Sequence, residues 1–389
     1  MPTIFEPCAP PESALARYRL LSPTAGVHVS PLQLGGMSIG DKQWEELGMG
    51  SMDKTASFAL LDKFFELGGN FIDTANVYQD GSSERIIGEW AEKRGIRDRL
   101  FIATKYTQNM HLRDKAMPTQ KPLFVGNNAK SLRLSVARSL ENLRTGYIDL
   151  LYVHIWDWET SVEEVMGSLH KLVMQDKVLY LGVSDTPAWV VSRANQYARD
   201  HALTPFSVYQ GAWNLMDRAI EREIIPMTKA EGMALAPWNV LAAGKFRTDE
   251  EEKRREESGE LGRRLFGDWK RTEQERRVCA ALEKVAGELG TKSITAVAIA
   301  YLMQKTPYVF PIVGGRKVEH LIQNLEALEI SLSDEQINYL ESVVPFDPGF
   351  PMNFIGFGMH YIREFTATAN FDKVPPVQPI RPSPKNAST

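Results

Sequence analysis

The sequence lacks the features that mark secreted, metal-dependent, nucleic-acid-binding and membrane proteins. Its 389 residues include only two cysteines, Cys8 and Cys279, which cannot form a disulfide framework, and its seven histidines form no His-x-His pair for a metal. The formal charge is only −4, so no overall field favours nucleic acid or an anionic membrane. No apolar run is long enough to cross a bilayer. We therefore expect a globular cytoplasmic protein without a metal, nucleic-acid or membrane partner.

Short apolar segments alternate with longer amphipathic ones. Most of the short segments lack polar alternation, and strands that are apolar on both faces belong to parallel sheets covered by helices. Between the first two strands, an apolar stripe of Phe58, Leu61 and Phe65 predicts a helix with that face in the core. The eight predicted strands occupy residues 32–37, 70–75, 100–105, 148–154, 178–183, 206–210, 233–238 and 308–313.

Eight β-then-α units favour a closed barrel over a doubly wound sheet, because "GGMSIG" after the first strand lacks the G-x-G-x-x-G phosphate turn. We predict an α/β fold, a (β/α)8 TIM barrel that spans residues 1–389 as a single domain. A short hairpin at 18–29 should close its N-terminal mouth. A charged insertion at 246–271 should form a solvated surface in preference to a cofactor lid. An extended C-terminal tail, 344–389, should wall the pocket with its aromatic part and end in disorder.

Four reactive side chains fall at or just after predicted strand ends, where barrel active sites lie. Asp73 ends the second strand, Tyr78 follows in its loop, Lys105 ends the third strand and His154 ends the fourth. Any one of them alone is better explained as a cap or an ion pair. Together, without a hydroxyl nucleophile or a metal cluster, they indicate proton transfer to or from an oxygen.

The four side chains can divide this work among them. A tyrosine has an ordinary pKa near 10, and the Lys105 ammonium is expected to lower the pKa of Tyr78. Asp73 would keep Lys105 charged and oriented, and a neutral His154 would donate a hydrogen bond to a carbonyl oxygen. We therefore predict that Tyr78 is the acid.

Several segments resemble a known family. "GGNFIDTANVYQDGSSE", "IATKY" and "LLYVHIWD" resemble the active-site segments of the aldo-keto reductases, and "YLGVSD" and "IVGGRKVEHLIQNLEAL" resemble their cofactor segments. The resemblance covers roughly residues 27–345 and is greatest to the fungal aryl-alcohol dehydrogenases and norsolorinic acid reductase-like proteins. It implies an NADPH/NADP+ cofactor, hydride transfer to a carbonyl carbon, and a catalytic tetrad at the four positions above.

The same resemblance implies where the cofactor lies. Ser184 and Asp185, with Gln210 beside them, would bind the nicotinamide carboxamide, although Asp185 replaces the usual asparagine and can accept but not donate a hydrogen bond. Trp238 would stack on the nicotinamide ring.

At the other end of the cofactor, small residues at 239–245 would bring backbone N–H groups to the pyrophosphate. Gly314 and Gly315 open a helix whose N-terminus favours an anion, and Arg316 and Lys317 fit a 2′-phosphate, which favours NADPH over NADH. The implied cofactor contacts are Asp73, Ser184, Asp185, Gln210, Trp238, Asn239, Val240, Leu241, Ala242, Gly244, Lys245, Gly314, Gly315, Arg316, Lys317, His320 and Asn324.

Aromatic residues in the loops after the strands suggest a flat substrate slot, formed with His154 by Trp44, Tyr106, Trp156 and Trp158. We predict reversible NADPH-dependent reduction of aromatic aldehydes to aryl alcohols, by a monomer or weak homo-oligomer. Two alternatives stay open, a reductase of a polyketide aryl ketone of the norsolorinic type and a non-catalytic nicotinamide-binding regulatory subunit.

Overall fold

The computed structural model describes residues 6–41, 44, 48–259 and 267–382. The strands are β1 (Arg19–Ser22), β2 (Ala25–Val29), β3 (Gln33–Gly35), β4 (Phe71–Asp73), β5 (Phe101–Tyr106), β6 (Ile148–Val153), β7 (Val178–Ser184), β8 (Val208–Ala212), β9 (Ala234–Trp238) and β10 (Ile312–Val313). The helices are α1 (Lys54–Glu66), α2 (Ser82–Arg94), α3 (Ala129–Asn142), α4 (Val162–Met174), α5 (Ala188–Asp200), α6 (Ile224–Glu231), α7 (Asp249–Ser258), α8 (Glu273–Leu289), α9 (Ile294–Lys305), α10 (Val318–Leu325), α11 (Asp334–Val343), α12 (Met352–Ile355) and α13 (Arg363–Thr366). None of the helices in these ranges is both long and apolar enough to cross a membrane.

The eight strands β3 to β10 form one parallel sheet that closes on itself. Their order is β10-β3-β4-β5-β6-β7-β8-β9, and β10 pairs with β3. The last seam joins β9 to the segment before β10, where the Leu235 N–H donates to the Tyr308 carbonyl at 2.9 Å and the Phe310 N–H donates to the Leu235 carbonyl at 2.8 Å. The predicted (β/α)8 barrel is confirmed.

The predicted hairpin is present as the antiparallel pair β1 and β2. Leu21, Ala25 and Val29 are buried in one cluster with Phe71 and Phe101, the first residues of β4 and β5. Since these aromatic residues stand at the N-terminal ends of barrel strands, the hairpin closes that end of the barrel. The opposite end of the barrel, at the C-terminal ends of the strands, is where an active site is expected.

Helix α1 packs a slightly different face on the barrel from the predicted one. Leu60, Leu61 and Phe64 are buried, whereas Phe58 and Phe65 are only partly buried. Cationic side chains of α1, α2 and the segment after α2 lie over the rings of Phe58 and Phe65 at 4.7 to 5.8 Å from the ring centroids. Such cation–π contacts make the edge of the buried face favourable for an aromatic ring, which a purely apolar stripe does not anticipate.

The charged insertion is less solvated than predicted. Its described part includes α7, which Thr248 opens with a capping box, and Glu252 on this helix is buried. Glu252 accepts from Arg247 at 2.6 Å and from Arg271 at 2.9 Å, and both arginines are buried as well. These three charges therefore pair with one another inside the protein, whereas most other described charges of the insertion are exposed, as predicted. Residues 260–266 of the insertion lie outside the described residues.

The C-terminal tail runs over the surface. It is attached near its start, where the guanidinium groups of Arg218 and Arg222 lie 5.1 and 4.8 Å from the ring centroid of Phe346. Farther on, Phe350 and Phe354 are 84% and 65% exposed, so the expected pocket-facing aromatic wall is not formed by these rings. The end predicted to be disordered falls partly on residues 373–382, which have no helix or strand and are mostly exposed, and partly on residues 383–389, which lie outside the described residues.

Candidate active site

The barrel brings the four predicted catalytic side chains together at the C-terminal ends of its strands. Asp73 is the last residue of β4, Lys105 is the last but one of β5, and His154 directly follows β6. Tyr78 begins a short 3-10 turn in the loop after β4. Asp73, Tyr78 and His154 line one cavity of about 430 Å³, and the side chain of Lys105 lies fully buried behind it.

Lys105 and Asp73 form a buried ion pair. The Lys105 Nζ is 2.6 and 2.8 Å from the two Asp73 carboxylate oxygens, and it also donates to the Thr74 carbonyl at 2.8 Å. The Gln210 side-chain amide donates to Asp73 Oδ2 at 3.0 Å. Burial alone would lower the pKa of Lys105, but the carboxylate and the Tyr78 phenol outweigh burial and raise it. The ammonium is therefore charged at neutral pH.

The Tyr78 hydroxyl lies 3.4 Å from the Lys105 Nζ. Desolvation raises the pKa of Tyr78, the ammonium opposes this shift, and the net direction is upward. The expectation that Lys105 brings the pKa of this phenol below its ordinary value is therefore wrong, because the cost of burying a phenolate is larger than the attraction of the cation. The phenol stays protonated at neutral pH and can act as a proton donor.

His154 is neutral in this site. Burial and the nearby Lys105 ammonium lower the pKa of its imidazole well below the ordinary value. Its ring meets that of Tyr78 edge-on, with the centroids 6.0 Å apart, and its Nδ1 is buried without a hydrogen-bond partner among the described residues. A neutral imidazole beside the phenol can donate one hydrogen bond to an oxygen of a bound molecule.

The backbone after Tyr78 is strained. Gln79 and Asp80 both have left-handed φ, 51° and 54°, which is uncommon for residues other than glycine. The buried Gln79 amide donates to the carbonyls of Met37 and Gly50 at 3.0 and 3.1 Å. These bonds fix the loop after β4 to the loop after β3, and they hold Tyr78 in place. The letters "YQDG" signal a turn but not this conformation.

The outer part of the cavity is mainly apolar, with a polar edge. Trp44 lies in its wall, as the sequence predicts, and its ring meets Tyr78 edge-on with the centroids 6.1 Å apart. Asp80 stands between Trp44 and Arg113, 3.5 Å from the indole Nε1 and 4.0 Å from the guanidinium Nε. The lining residues that sequence reasoning missed here are Met37, Met49, Val77, Asp80, Gln108, Leu112 and Arg113.

Three aromatic residues assigned to the substrate slot lie elsewhere. Tyr106 is fully buried in the main hydrophobic core, and its hydroxyl donates to the Asn127 carbonyl at 3.2 Å. Because successive strand residues point to opposite faces, Tyr106 cannot face inward beside Lys105. Trp156 packs partly buried against the core, and Trp158 is 67% exposed on the surface. The predicted four-ring slot is wrong, and only its Trp44 wall is present.

A second cavity of about 400 Å³ continues from the first. The two share Met49, Asn239, Ile312 and Gly314, so they form one long cleft. The predicted cofactor residues that line the second cavity are Asn239, Val240, Leu241, Gly244, Gly314, Gly315, Arg316, Lys317, His320 and Asn324. Glu251 and Arg255 of α7 also line it, which the sequence did not predict.

Segment 239–245 lines the cleft in part, but it offers fewer backbone N–H groups than predicted. Asn239, Ala242 and Ala243 adopt left-handed φ of 58°, 49° and 55°. The N–H groups of residues 242–245 all donate to oxygen atoms within the segment, so they are not directed at a phosphate. The Lys245 ammonium bonds to the Lys270 carbonyl and to Glu275, and neither Lys245 nor Ala242 lines the cleft.

The inner end of the cleft carries the predicted nicotinamide contacts. The Ser184 side chain is buried and lines the cavity beside Asp185. Asp185 accepts from the Trp238 indole N–H at 3.1 Å, and Gln210 donates to Asp73. With polar side chains at this end and the cations of Arg316 and Lys317 at the other, the cleft fits an elongated dinucleotide.

Comparison with known proteins agrees with this geometry. Residues 31–345 match the model of the aldo/keto reductase family. The aryl-alcohol dehydrogenase [NADP(+)] of Phanerodontia chrysosporium is 60% identical over 383 residues, which cover 97% of this chain and 99% of the relative. The putative aryl-alcohol dehydrogenase AAD14 of Saccharomyces cerevisiae is 54% identical, covering 92% and 94%, and norsolorinic acid reductase A of Aspergillus parasiticus is 49% identical, covering 97% and 96%. The chain belongs to the aldo/keto reductase family.

Proposed function

We propose that this protein reduces aromatic aldehydes to aryl alcohols with NADPH and catalyses the reverse oxidation with NADP+. The observation that carries the proposal is the hydroxyl of Tyr78, which lies 3.4 Å from a fully buried ammonium and shares its cavity with a neutral imidazole. Such a set can protonate an oxygen without a metal ligand or a nucleophile.

The long cleft supports NADPH as the cofactor. Ser184 and Trp238 would hold the nicotinamide end, and Arg316 and Lys317 would hold the 2′-phosphate end. Two exposed cations suit a dianionic phosphate, since charge-assisted hydrogen bonds are stronger than neutral ones. When bound, the reduced nicotinamide supplies the hydride that the carbonyl carbon receives.

The side chains of this chain handle the proton. His154 would donate a hydrogen bond to the substrate carbonyl oxygen and so orient it toward Tyr78. The Tyr78 phenol then gives its proton to that oxygen, and the adjacent Lys105 ammonium stabilises the phenolate that remains. Asp73 keeps the ammonium in place through both of its oxygens. In alcohol oxidation the phenolate takes the proton back.

An aryl ketone is a second candidate substrate. Norsolorinic acid reductases are 48–49% identical to this chain, and the lining of the cavity at Tyr78 reaches the surface at Leu112, which is 67% exposed. A bulky ring system could extend past this edge, whereas a benzaldehyde would be enclosed by Trp44 and Met49.

Steady-state kinetics separates these candidates. We expect loss of NADPH absorbance with substituted benzaldehydes, and higher kcat/KM for them than for a bulky polycyclic aryl ketone. The reverse ranking would assign the ketone. NADPH binding by equilibrium titration without turnover of any carbonyl compound would instead indicate a regulatory subunit.

A further inference from the structure

A hydrogen bond joins two strand ends that are not neighbours in the barrel. Asp185 directly follows β7 and Trp238 ends β9, with β8 between them. The Asp185 Oδ1 accepts from the indole Nε1–H at 3.1 Å, and both residues line the catalytic cavity. The hydrogen bond therefore links the ends of β7 and β9 across β8, in the cavity wall where the nicotinamide is proposed to lie.

The backbone holds both partners of this bond. Asp185 has a left-handed φ of 43°, and its N–H donates to the Gln210 carbonyl at 3.0 Å. The Trp238 carbonyl accepts from the Trp213 N–H at 3.1 Å. A strained conformation persists only where its surroundings fix it, and here it places a carboxylate beside the indole. The position of the indole plane is thus set from two strands.

The chemistry of the two groups suits this pairing. An indole has one polar donor and no acceptor, and a carboxylate is an acceptor only. The Asp185 carboxylate therefore cannot donate to the carbonyl of a carboxamide, as an asparagine could. Ser184, which lines the same cavity, carries a hydroxyl that can donate there instead. Desolvation by the cavity wall raises the pKa of Asp185 to about 6, so the group is charged at neutral pH.

We propose that Asp185 is a positioning residue that acts through Trp238: its carboxylate fixes the indole plane against which the nicotinamide ring packs, and it is not a ligand of the carboxamide. The inference rests on the proposed function, because it takes the inner end of the cleft as the nicotinamide site. It predicts that replacing Asp185 changes the single-turnover rate and the emission of bound NADPH only while the indole of Trp238 is present. A carboxamide ligand would matter equally with or without the indole.

A double-mutant cycle tests this dependence. The variants are Asp185→Ala, Trp238→Phe and the combination, each with NADPH bound before an aryl aldehyde is added in a single turnover. In the protein that keeps Trp238, we expect Asp185→Ala to lower the single-turnover rate about tenfold, in line with loss of a charge-assisted hydrogen bond. In the Trp238→Phe protein, the same change should slow the rate less than about twofold. An equal factor in both backgrounds would overturn the proposal.

A second readout needs no turnover. The emission spectrum of bound NADPH reports the surroundings of its nicotinamide ring, so Asp185→Ala should shift it in the Trp238 protein and leave it unchanged in the Trp238→Phe protein. If the protein binds NADPH but reduces nothing, the proposed function fails and this spectrum still decides the role of Asp185. Equal spectral shifts in both backgrounds would contradict that role.

Two further variants complete the test. Asp185→Asn keeps an acceptor oxygen of the same reach and should retain most of the single-turnover rate; a loss as large as that of Asp185→Ala would overturn the proposal. The control is Asp62→Ala, which removes a similar 2.8 Å bond between Asp62 of α1 and the Trp90 Nε1 of α2, together with the ion pair of Asp62 with Arg94. Asp62→Ala should leave the single-turnover rate and the emission spectrum of bound NADPH unchanged. A change in either would mean that the effect of Asp185→Ala is not specific to the nicotinamide site, and would count against the proposal.

Discussion

Replacement of Lys105 by methionine should destabilise the barrel because it leaves the Asp73 carboxylate buried without its cation. The two side chains are almost inaccessible to solvent, and their charged atoms are 2.6–2.8 Å apart. With an effective dielectric constant of about 20, their attraction is about 6 kcal/mol, which is offset by several kcal/mol of desolvation for each ion. The intact pair therefore contributes little to the free energy of unfolding. Removing only its cation should lower that free energy by about 3–5 kcal/mol.

Removing the second charge should reverse most of this loss. In Asp73→Asn combined with Lys105→Met, no ion stays buried, and the Gln210 amide can still donate to the new side-chain carbonyl. We expect the double variant to regain more than half of the stability that Lys105→Met loses, although both proteins should be inactive.

Equilibrium unfolding in urea, followed by tryptophan fluorescence in the absence of NADPH, measures both changes. Reversibility must be shown by refolding from urea, because large proteins often unfold irreversibly. A Lys105→Met protein within about 1 kcal/mol of the wild type would contradict a buried ion pair. A double variant no more stable than the single one would assign the loss to packing of the lysine stem.

Three further outcomes are expected. Arg316→Ala with Lys317→Ala should weaken NADPH binding about 100-fold and NADH binding less than about threefold, as measured by titration; equal losses would place the 2′-phosphate elsewhere. Because the raised pKa of Tyr78 keeps the phenol protonated, kcat for reduction should stay flat from about pH 6 to 9, while alcohol oxidation rises toward higher pH. Burial also raises the pKa of Glu84, so the folded state holds this proton above the pH at which the unfolded state loses it. The stability of the wild type in urea, relative to that of Glu84→Gln, should therefore fall as pH rises above the ordinary glutamate pKa, because this difference cancels the contributions of the other carboxyl groups.

The sequence was sufficient for the barrel because its signals are local. Each predicted strand run overlaps a strand of the barrel, and the run at residues 308–313 includes both β10 and the bridge that closes the barrel. The ends of parallel strands meet at one face, so the order of the strands along the chain is enough to group Asp73, Lys105 and His154.

The remaining errors have physical causes that lie outside such patterns. The assignment of Tyr106 to the pocket fails because Tyr106 and Lys105 are neighbours in one strand. The two-residue period of a strand places their side chains on opposite faces. Met49 and Leu112 lie in irregular loops where no period exists. The sign of the Tyr78 pKa shift depends on the balance of desolvation and a cation at 3.4 Å, which only coordinates supply.

The most direct test concerns the Tyr78 hydroxyl as the source of the proton. With NADPH already bound to Tyr78→Phe, single-turnover reduction of an aryl aldehyde should slow by about 10²- to 10⁴-fold, the contribution expected from a general acid. The dissociation constant of NADPH should stay within about twofold, since Tyr78 is not among the residues proposed to hold the cofactor. A Tyr78→Phe protein that reduces the aldehyde at a rate close to that of the wild type would contradict the account.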